Sequence, residues 1–141
     1  MLAWKNEKAI GVAGIVVALA LASGVASADG KVTLSGSEEV PAVTTTASGT
    51  GTIVIKADKT VTGSVTTKDV VGVAAHIHLA PAGKNGPPVI TLTKKSDNEW
   101  SVPEGSTLTD EQYAAYKAGN LYVNVHSAAN KAGEIRGQLK P

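Results

Sequence analysis

The chain of 141 residues contains no cysteine and no phenylalanine, and its single methionine is residue 1. The absence of cysteine excludes disulfide bonds, a lipid-anchored cysteine, cysteine-rich structural zinc sites and the thiolate that blue-copper centres require. The absence of any further methionine excludes methionine-rich Cu(I) carriers. A metal site in this protein would therefore use imidazole, carboxylate or carbonyl donors.

Residues 1–28 are predicted to be a secretory signal peptide. Lys5 and Lys8 form a short basic start, and residues 10–22 form an apolar run that is shorter than the ~20 residues needed to span a bilayer. The small residues at 26–28 suit a cleavage site. An uncleaved N-terminal anchor is the alternative. We expect an exported protein, either periplasmic or secreted.

The predicted mature chain, residues 29–141, has no excess charge of either sign. The whole chain holds 13 basic and 12 acidic residues, and removing Lys5, Lys8 and Glu7 leaves 11 of each. A neutral surface argues against nucleic acid or anionic lipid as the main partner. We predict a single domain with no nucleic-acid partner and no membrane insertion of the mature chain.

The mature sequence alternates short apolar runs with Gly, Pro, Asn and Asp, which is typical of an all-β domain. Residues 44–50 and 81–88 are predicted to be loops. The spacing of the runs predicts an antiparallel Greek-key β-sandwich or flattened barrel. The predicted strands cover residues 31–36, 51–57, 60–66, 71–79, 89–93, 99–102, 121–126 and 133–139.

One short helix is predicted near residues 109–118. Thr109 can cap its N-terminus, and Gln112 three residues later completes a capping-box pattern. Gly119 suits the left-handed conformation that commonly follows a helix. The sequence therefore predicts one helix within an otherwise β-rich domain.

All three histidines of the chain fall in predicted strands. Alternation places His76 and His78 on one face, with Cα atoms about 6.6 Å apart, while the odd positions of residues 71–79 are apolar and predicted to face the core. His126 likewise lies opposite the apolar face of its own strand. This matching parity predicts one three-imidazole metal site. The alternative is a set of unrelated surface or hydrogen-bonded imidazoles.

Three neutral imidazoles suit copper or zinc, and copper is expected because its intrinsic affinity for such donors is higher. Three protein ligands also leave a position open for water or a small substrate. Groups around the site are expected to orient each ring. The candidates for this role are Asn124, Tyr122 and Glu134.

Arg136 projects from the polar face of a strand predicted to lie beside the His126 strand. It could guide a small anion toward the metal. A surface salt bridge with Glu134 explains it equally well. Two further acids, Glu38 and Glu39, could supply a carboxylate ligand, although a solvated turn is the favoured interpretation.

Four segments together resemble the CHRD domain, namely residues 75–83, 86–89, 121–127 and 133–139. This family occurs in chordin and in many exported bacterial proteins. The resemblance covers nearly all of the mature chain and implies a β-sandwich domain. In chordin the domain belongs to an extracellular protein that binds growth factors.

The sequence also resembles, more distantly, copper/zinc superoxide dismutase. That family uses a His-X-His strand and a later Val-X-Val-His-like strand to hold copper in a Greek-key barrel. The resemblance implies that His76, His78 and His126 are copper ligands and that Arg136 guides the anion. A fourth, bridging histidine, the zinc-ligand cluster and the disulfide are missing. The resemblance therefore extends at most to a mononuclear copper site.

Two functions remain open from the sequence. The first is an exported mononuclear copper protein, which in its enzymatic form catalyses superoxide dismutation. The second is a non-enzymatic CHRD binding module, either a copper buffer or an envelope protein-interaction domain. The sequence does not separate the enzyme from a copper store, because both need the same ligands.

Overall fold

The computed structural model describes residues 30–141, and the predicted signal peptide lies outside the described residues. The described chain forms nine β-strands, the short 3-10 helix Gly36–Glu38 and one α-helix, α1 (Asp110–Lys117). The strands are β1 (Lys31–Ser35), β2 (Ser48–Ile55), β3 (Val61–Lys68), β4 (Gly72–Leu79), β5 (Pro88–Thr91), β6 (Thr93–Ser96), β7 (Glu99–Ser101), β8 (Leu121–Ser127) and β9 (Ile135–Gln138).

All nine strands join one antiparallel sheet in the order β5-β4-β8-β9-β1-β2-β3-β7-β6. Its two edge strands, β5 and β6, are separated in sequence only by Leu92. The chain itself therefore connects the two edges, and the sheet curls into a nearly closed, flattened barrel. This confirms the prediction of an antiparallel all-β fold with one short helix.

The interior of the barrel is built from aliphatic side chains, as the absence of phenylalanine requires. Leu34, Val65, Ile77, Val123 and Ile135 are fully buried and come from five different strands. Burial of each such side chain contributes roughly 1.5–3 kcal/mol to the transfer free energy that drives folding. One apolar cluster therefore holds together strands from all parts of the described sequence.

The predicted core face of β4 is correct only in its second half. Ala75 and Ile77 are fully buried, but Val71 and Val73 are 63% and 57% exposed. The pairing with β8 shifts in register between Gly72 and Ala74. This bulge reverses the alternation of the preceding residues, so the prediction that Val71 and Val73 face the core is wrong.

Two further boundaries differ from the prediction. Residues 44–50 were expected to form a loop, but β2 already begins at Ser48 and pairs with both β1 and β3. Long-range pairing here outweighs the turn preference of serine and glycine. The predicted strand 89–93 divides at Leu92 into β5 and β6. The division brings the chain from one sheet edge to the other.

Helix α1 has the predicted capping box, in which Thr109 and Gln112 exchange hydrogen bonds between backbone and side chain. Gly119 has a φ of +81°, the left-handed conformation predicted at that position. Tyr116 on the helix packs into the core. None of the helices in residues 30–141 is long and apolar enough to span a bilayer.

Candidate metal centre

The three histidines lie on one face of the neighbouring strands β4 and β8. In the register of this pair His126 stands opposite Ala74, His76 opposite Asn124, and His78 opposite Tyr122. His126 is therefore the diagonal neighbour of His76, within reach of long side chains. The three histidines therefore share one face of the sheet, as strand alternation predicts.

The ring nitrogens of the three histidines lie close enough to share an ion. One ligand atom from each ring can be chosen so that all three lie within 4.8 Å of one another. The closest pair is His76 Nδ1 and His126 Nε2, at 3.1 Å. Nitrogens about 2.0 Å from one tetrahedral ion are about 3.3 Å apart, so the separation of His76 Nδ1 and His126 Nε2 already matches a shared ion. The cluster could hold a metal ion.

The His78 ring is fixed in an orientation that leaves one lone pair without a partner. Its Nδ1 lies 2.9 Å from the carbonyl oxygen of Gly86, and its ring stacks on Tyr122 with centroids 4.8 Å apart and an angle of 6°. Because a carbonyl only accepts, the neutral ring carries its proton on Nδ1 and its lone pair on Nε2. That Nε2 is buried and has no hydrogen-bond partner. A cation would satisfy it.

His126 is oriented in the same way by the loop between β8 and β9. Its Nδ1 lies 2.8 Å from the carbonyl oxygen of Lys131, so the lone pair of the neutral ring is on Nε2. In the metal-free protein this Nε2 accepts a hydrogen bond from His76 Nδ1. A metal ion can replace that proton and take both nitrogens as ligands. Backbone carbonyls thus fix two of the three rings, as in many metal sites.

The surroundings of the cluster favour the neutral form of two of its imidazoles, those of His76 and His78. Burial lowers the pKa of His76, and the nearby His126 and His78 lower it further. Burial also lowers the pKa of His78, partly opposed by its bond to Gly86. Only neutral imidazole binds metal, so a lowered pKa reduces competition from protons at neutral pH. The donor set and its protonation therefore fit a transition metal.

Arg136 lies on β9 beside the His126 strand, as predicted, but it is only 1% exposed. Its Nη1 donates to the carbonyl oxygen of Lys84 at 2.8 Å, and its Nη2 donates to that of Pro81 at 3.1 Å. The guanidinium also lies 3.4 Å from the centroid of the Tyr122 ring. Arg136 thus holds the loop that supplies the Gly86 carbonyl to His78. Its predicted anion-guiding role stays a prediction.

Glu134 does not form the salt bridge with Arg136 that the sequence allowed. Its carboxylate instead accepts hydrogen bonds from Ser127 at 2.6 Å, Thr45 at 2.7 Å and Asn130 at 3.2 Å. The bond from Ser127, followed by those from Thr45 and Asn130, lowers the pKa of Glu134 despite its burial. These contacts fix the loop that presents the Lys131 carbonyl to His126.

Glu39 is buried, although its sequence context predicts a solvated turn. It is 5% exposed, so the prediction is wrong for Glu39, while Glu38 is exposed as expected. Asn124 Nδ2 donates to Glu39 Oε1 at 3.4 Å. Burial raises the pKa of Glu39 to about 7, although Asn124 and the charge of Arg136 oppose the shift. Nothing in the sequence around Glu38 and Glu39 indicates that one of the two carboxyl groups is buried.

Glu39→Gln is expected to remove a pH-dependent loss of stability in the metal-free protein. Between pH 4.5 and about 7 folded Glu39 keeps a proton that the unfolded chain releases, so its contribution to stability falls as pH rises. The variant should be more stable than wild type at pH 8, by up to about 3 kcal/mol, and nearly equal at pH 4.5. Urea unfolding at both pH values tests this. A pH-independent difference would contradict it.

The fold and the cluster define a class of protein, a nearly closed antiparallel barrel with a candidate three-histidine metal site. Within this class the family is also clear: the family model for the CHRD domain matches residues 31–139, and the chain belongs to the CHRD domain family. This confirms the predicted family. No curated protein and no solved structure matches the chain. The resemblance to superoxide dismutase gains no support from these comparisons and stays a prediction.

Proposed function

We propose that this CHRD domain is an exported binding module that holds one copper ion on His76, His78 and His126. The observation that carries the proposal is the orientation of the rings. Backbone carbonyls fix the protonated nitrogens of His78 and His126, and the buried His78 Nε2 is left without a partner. Unrelated surface or hydrogen-bonded histidines would not leave a buried ring nitrogen without a hydrogen-bond partner.

Copper is favoured over zinc by the chemistry of the donors. The site offers imidazole nitrogen and no thiolate, since the chain has no cysteine. Among divalent ions with such donors Cu(II) has the highest affinity. Export removes the protein from the cytosol, so the ion would be taken up in the envelope or outside the cell.

An enzymatic role in superoxide dismutation is the second candidate, and solvent access favours it. His78 is buried, but His76 and His126 are partly exposed, so one side of the cluster faces the solution. Bound copper would supply the Cu(II)/Cu(I) couple needed to oxidise one superoxide to O2 and to reduce the next, with two protons from the solvent, to H2O2. The protein's own part is to hold the ion with neutral imidazoles and to leave a small anion a path to it. A copper buffer needs the first property only.

A copper titration of the exported protein, followed by a superoxide assay, tests both candidates. We expect one equivalent of Cu(II) to bind per chain at pH 7. Turnover of superoxide by the loaded protein, above that of the same amount of copper bound to free histidine, supports the enzyme. Stoichiometric binding without turnover supports the binding module. Absence of specific copper binding would contradict the proposed function as a whole.

A further inference from the structure

Asn124 lies on the histidine face of β8 and is almost completely buried. It stands opposite His76 and two residues from His126, so strand alternation directs all three side chains to the same side of the sheet. Asn124 is 2% exposed. Its Oδ1 is buried and has no hydrogen-bond partner. Buried carboxamide oxygens are normally hydrogen-bonded, so an unpartnered one indicates a missing donor or ion.

The orientation of the Asn124 carboxamide is assigned from the contacts of its amide group. Asn124 Nδ2 faces Glu39 Oε1 at 3.4 Å and the carbonyl oxygen of Ala132 at 3.5 Å. The carbonyl can only accept, so the nitrogen must lie on that side and the oxygen on the other. Gly133 makes room for this arrangement, because a Cβ there would lie 2.5 Å from both Asn124 Nδ2 and Glu39 Oε1.

Asn124 lies on the same face as His78, whose Nε2 also lacks a partner. Because Asn124 stands opposite His76 and Tyr122 opposite His78, His78 is the diagonal neighbour of Asn124 across the two strands, within reach of long side chains. The neutral His78 ring has its proton on Nδ1, bound to Gly86, and only a lone pair on Nε2. Two buried lone pairs, on Asn124 Oδ1 and His78 Nε2, thus share one environment without a donor for either. A cation satisfies both at once.

We infer that the carboxamide oxygen of Asn124 is a fourth donor of the metal site, completing a set of three nitrogens and one oxygen. This inference rests on the proposed function and assigns to Asn124 a role beyond orienting a ring. A four-donor set of nitrogen and oxygen suits the tetragonal geometry of Cu(II). Glu39 acts through Asn124, because its carboxyl group holds the amide nitrogen away from the ion.

Two Asn124 variants with opposite chemistry test the inference. Asn124→Leu keeps the shape and removes the oxygen, and we expect its Cu(II) affinity to fall on the order of 10-fold or more, with one equivalent still bound. Asn124→Asp keeps an oxygen at the same position, and we expect affinity at least equal to that of wild type. Both variants should change the g and hyperfine values of the Cu(II) electron paramagnetic resonance spectrum, because a donor atom is lost or becomes charged.

A matched control is Thr67→Val on β3, which likewise removes a buried oxygen without a hydrogen-bond partner, here a hydroxyl away from the histidines in sequence. It should leave copper affinity and spectrum unchanged. If wild type and both Asn124 variants give the same affinity and spectrum, the inference is wrong while the three-histidine site stands. If wild type itself binds no copper, the proposed function fails instead. Should Asn124→Leu not fold, an unchanged spectrum in Asn124→Asp is sufficient to overturn the inference.

Discussion

His78→Ala is expected to abolish stoichiometric copper binding, with the affinity for Cu(II) reduced at least ~100-fold. His78 is the most buried of the three histidines, and its Nε2 is buried without a hydrogen-bond partner. Free copper at 100 times the dissociation constant stabilises a binding protein by about 2.7 kcal/mol. For a domain of this size that corresponds to a rise of about 10 °C in the unfolding temperature. The variant should lose this rise.

The comparison with copper-free protein separates binding from folding in this experiment. His78→Ala also leaves the Gly86 carbonyl without its donor and Tyr122 without its stacking partner, so the variant should unfold at a lower temperature even without metal. The informative quantity is therefore the shift caused by copper in each protein. Equal shifts in wild type and His78→Ala would place the copper elsewhere in the molecule.

Arg136→Leu is expected to destabilise the metal-free protein by about 3 kcal/mol, because it removes a buried guanidinium together with its charge-assisted hydrogen bonds and its contact with the Tyr122 ring. Arg136 is 1% exposed, and it binds the carbonyl oxygens of Lys84 and Pro81 and the side-chain oxygen of Gln138. The loop that carries these carbonyls also orients His78. We therefore expect a weaker copper site as well as a less stable fold.

Urea unfolding of Arg136→Leu and Lys84→Ala, each with a copper titration, checks this prediction. Lys84→Ala is the matched control, since the bond from Arg136 goes to the backbone carbonyl and survives the substitution. It should leave stability within about 0.5 kcal/mol of wild type. If Arg136→Leu keeps normal stability and copper affinity but loses superoxide turnover, Arg136 acts as the predicted anion guide rather than as the support of the loop.

The face shared by the histidines could be predicted from the sequence because it depends only on strand alternation. His76 and His78 are two residues apart, and the same parity rule applies to His126 in its own strand. The rule failed at Val71 and Val73, where a bulge changes the phase of β4. A bulge arises from the pairing of two distant segments, and no residue type within β4 predicts its position.

The groups that support the histidines could not be predicted, since they reach the site through tertiary structure. Glu39 comes from the segment after the 3-10 helix, and Gly86 and Lys131 contribute backbone carbonyls, which have no sequence signature. Arg136 was placed on the correct strand face, but its burial depends on the loop that folds over it. Local pattern thus predicted which histidines share a face, and long-range contacts determine how their rings are oriented.

X-ray absorption spectroscopy of the copper-loaded protein tests the central claim most directly, because it counts the imidazoles bound to the ion. We expect one copper per chain with three imidazole ligands at about 2.0 Å, the usual distance for such donors. The same spectrum from His78→Ala should show fewer imidazoles. A wild-type spectrum with one imidazole or none would contradict the assignment of His76, His78 and His126 as a shared metal site.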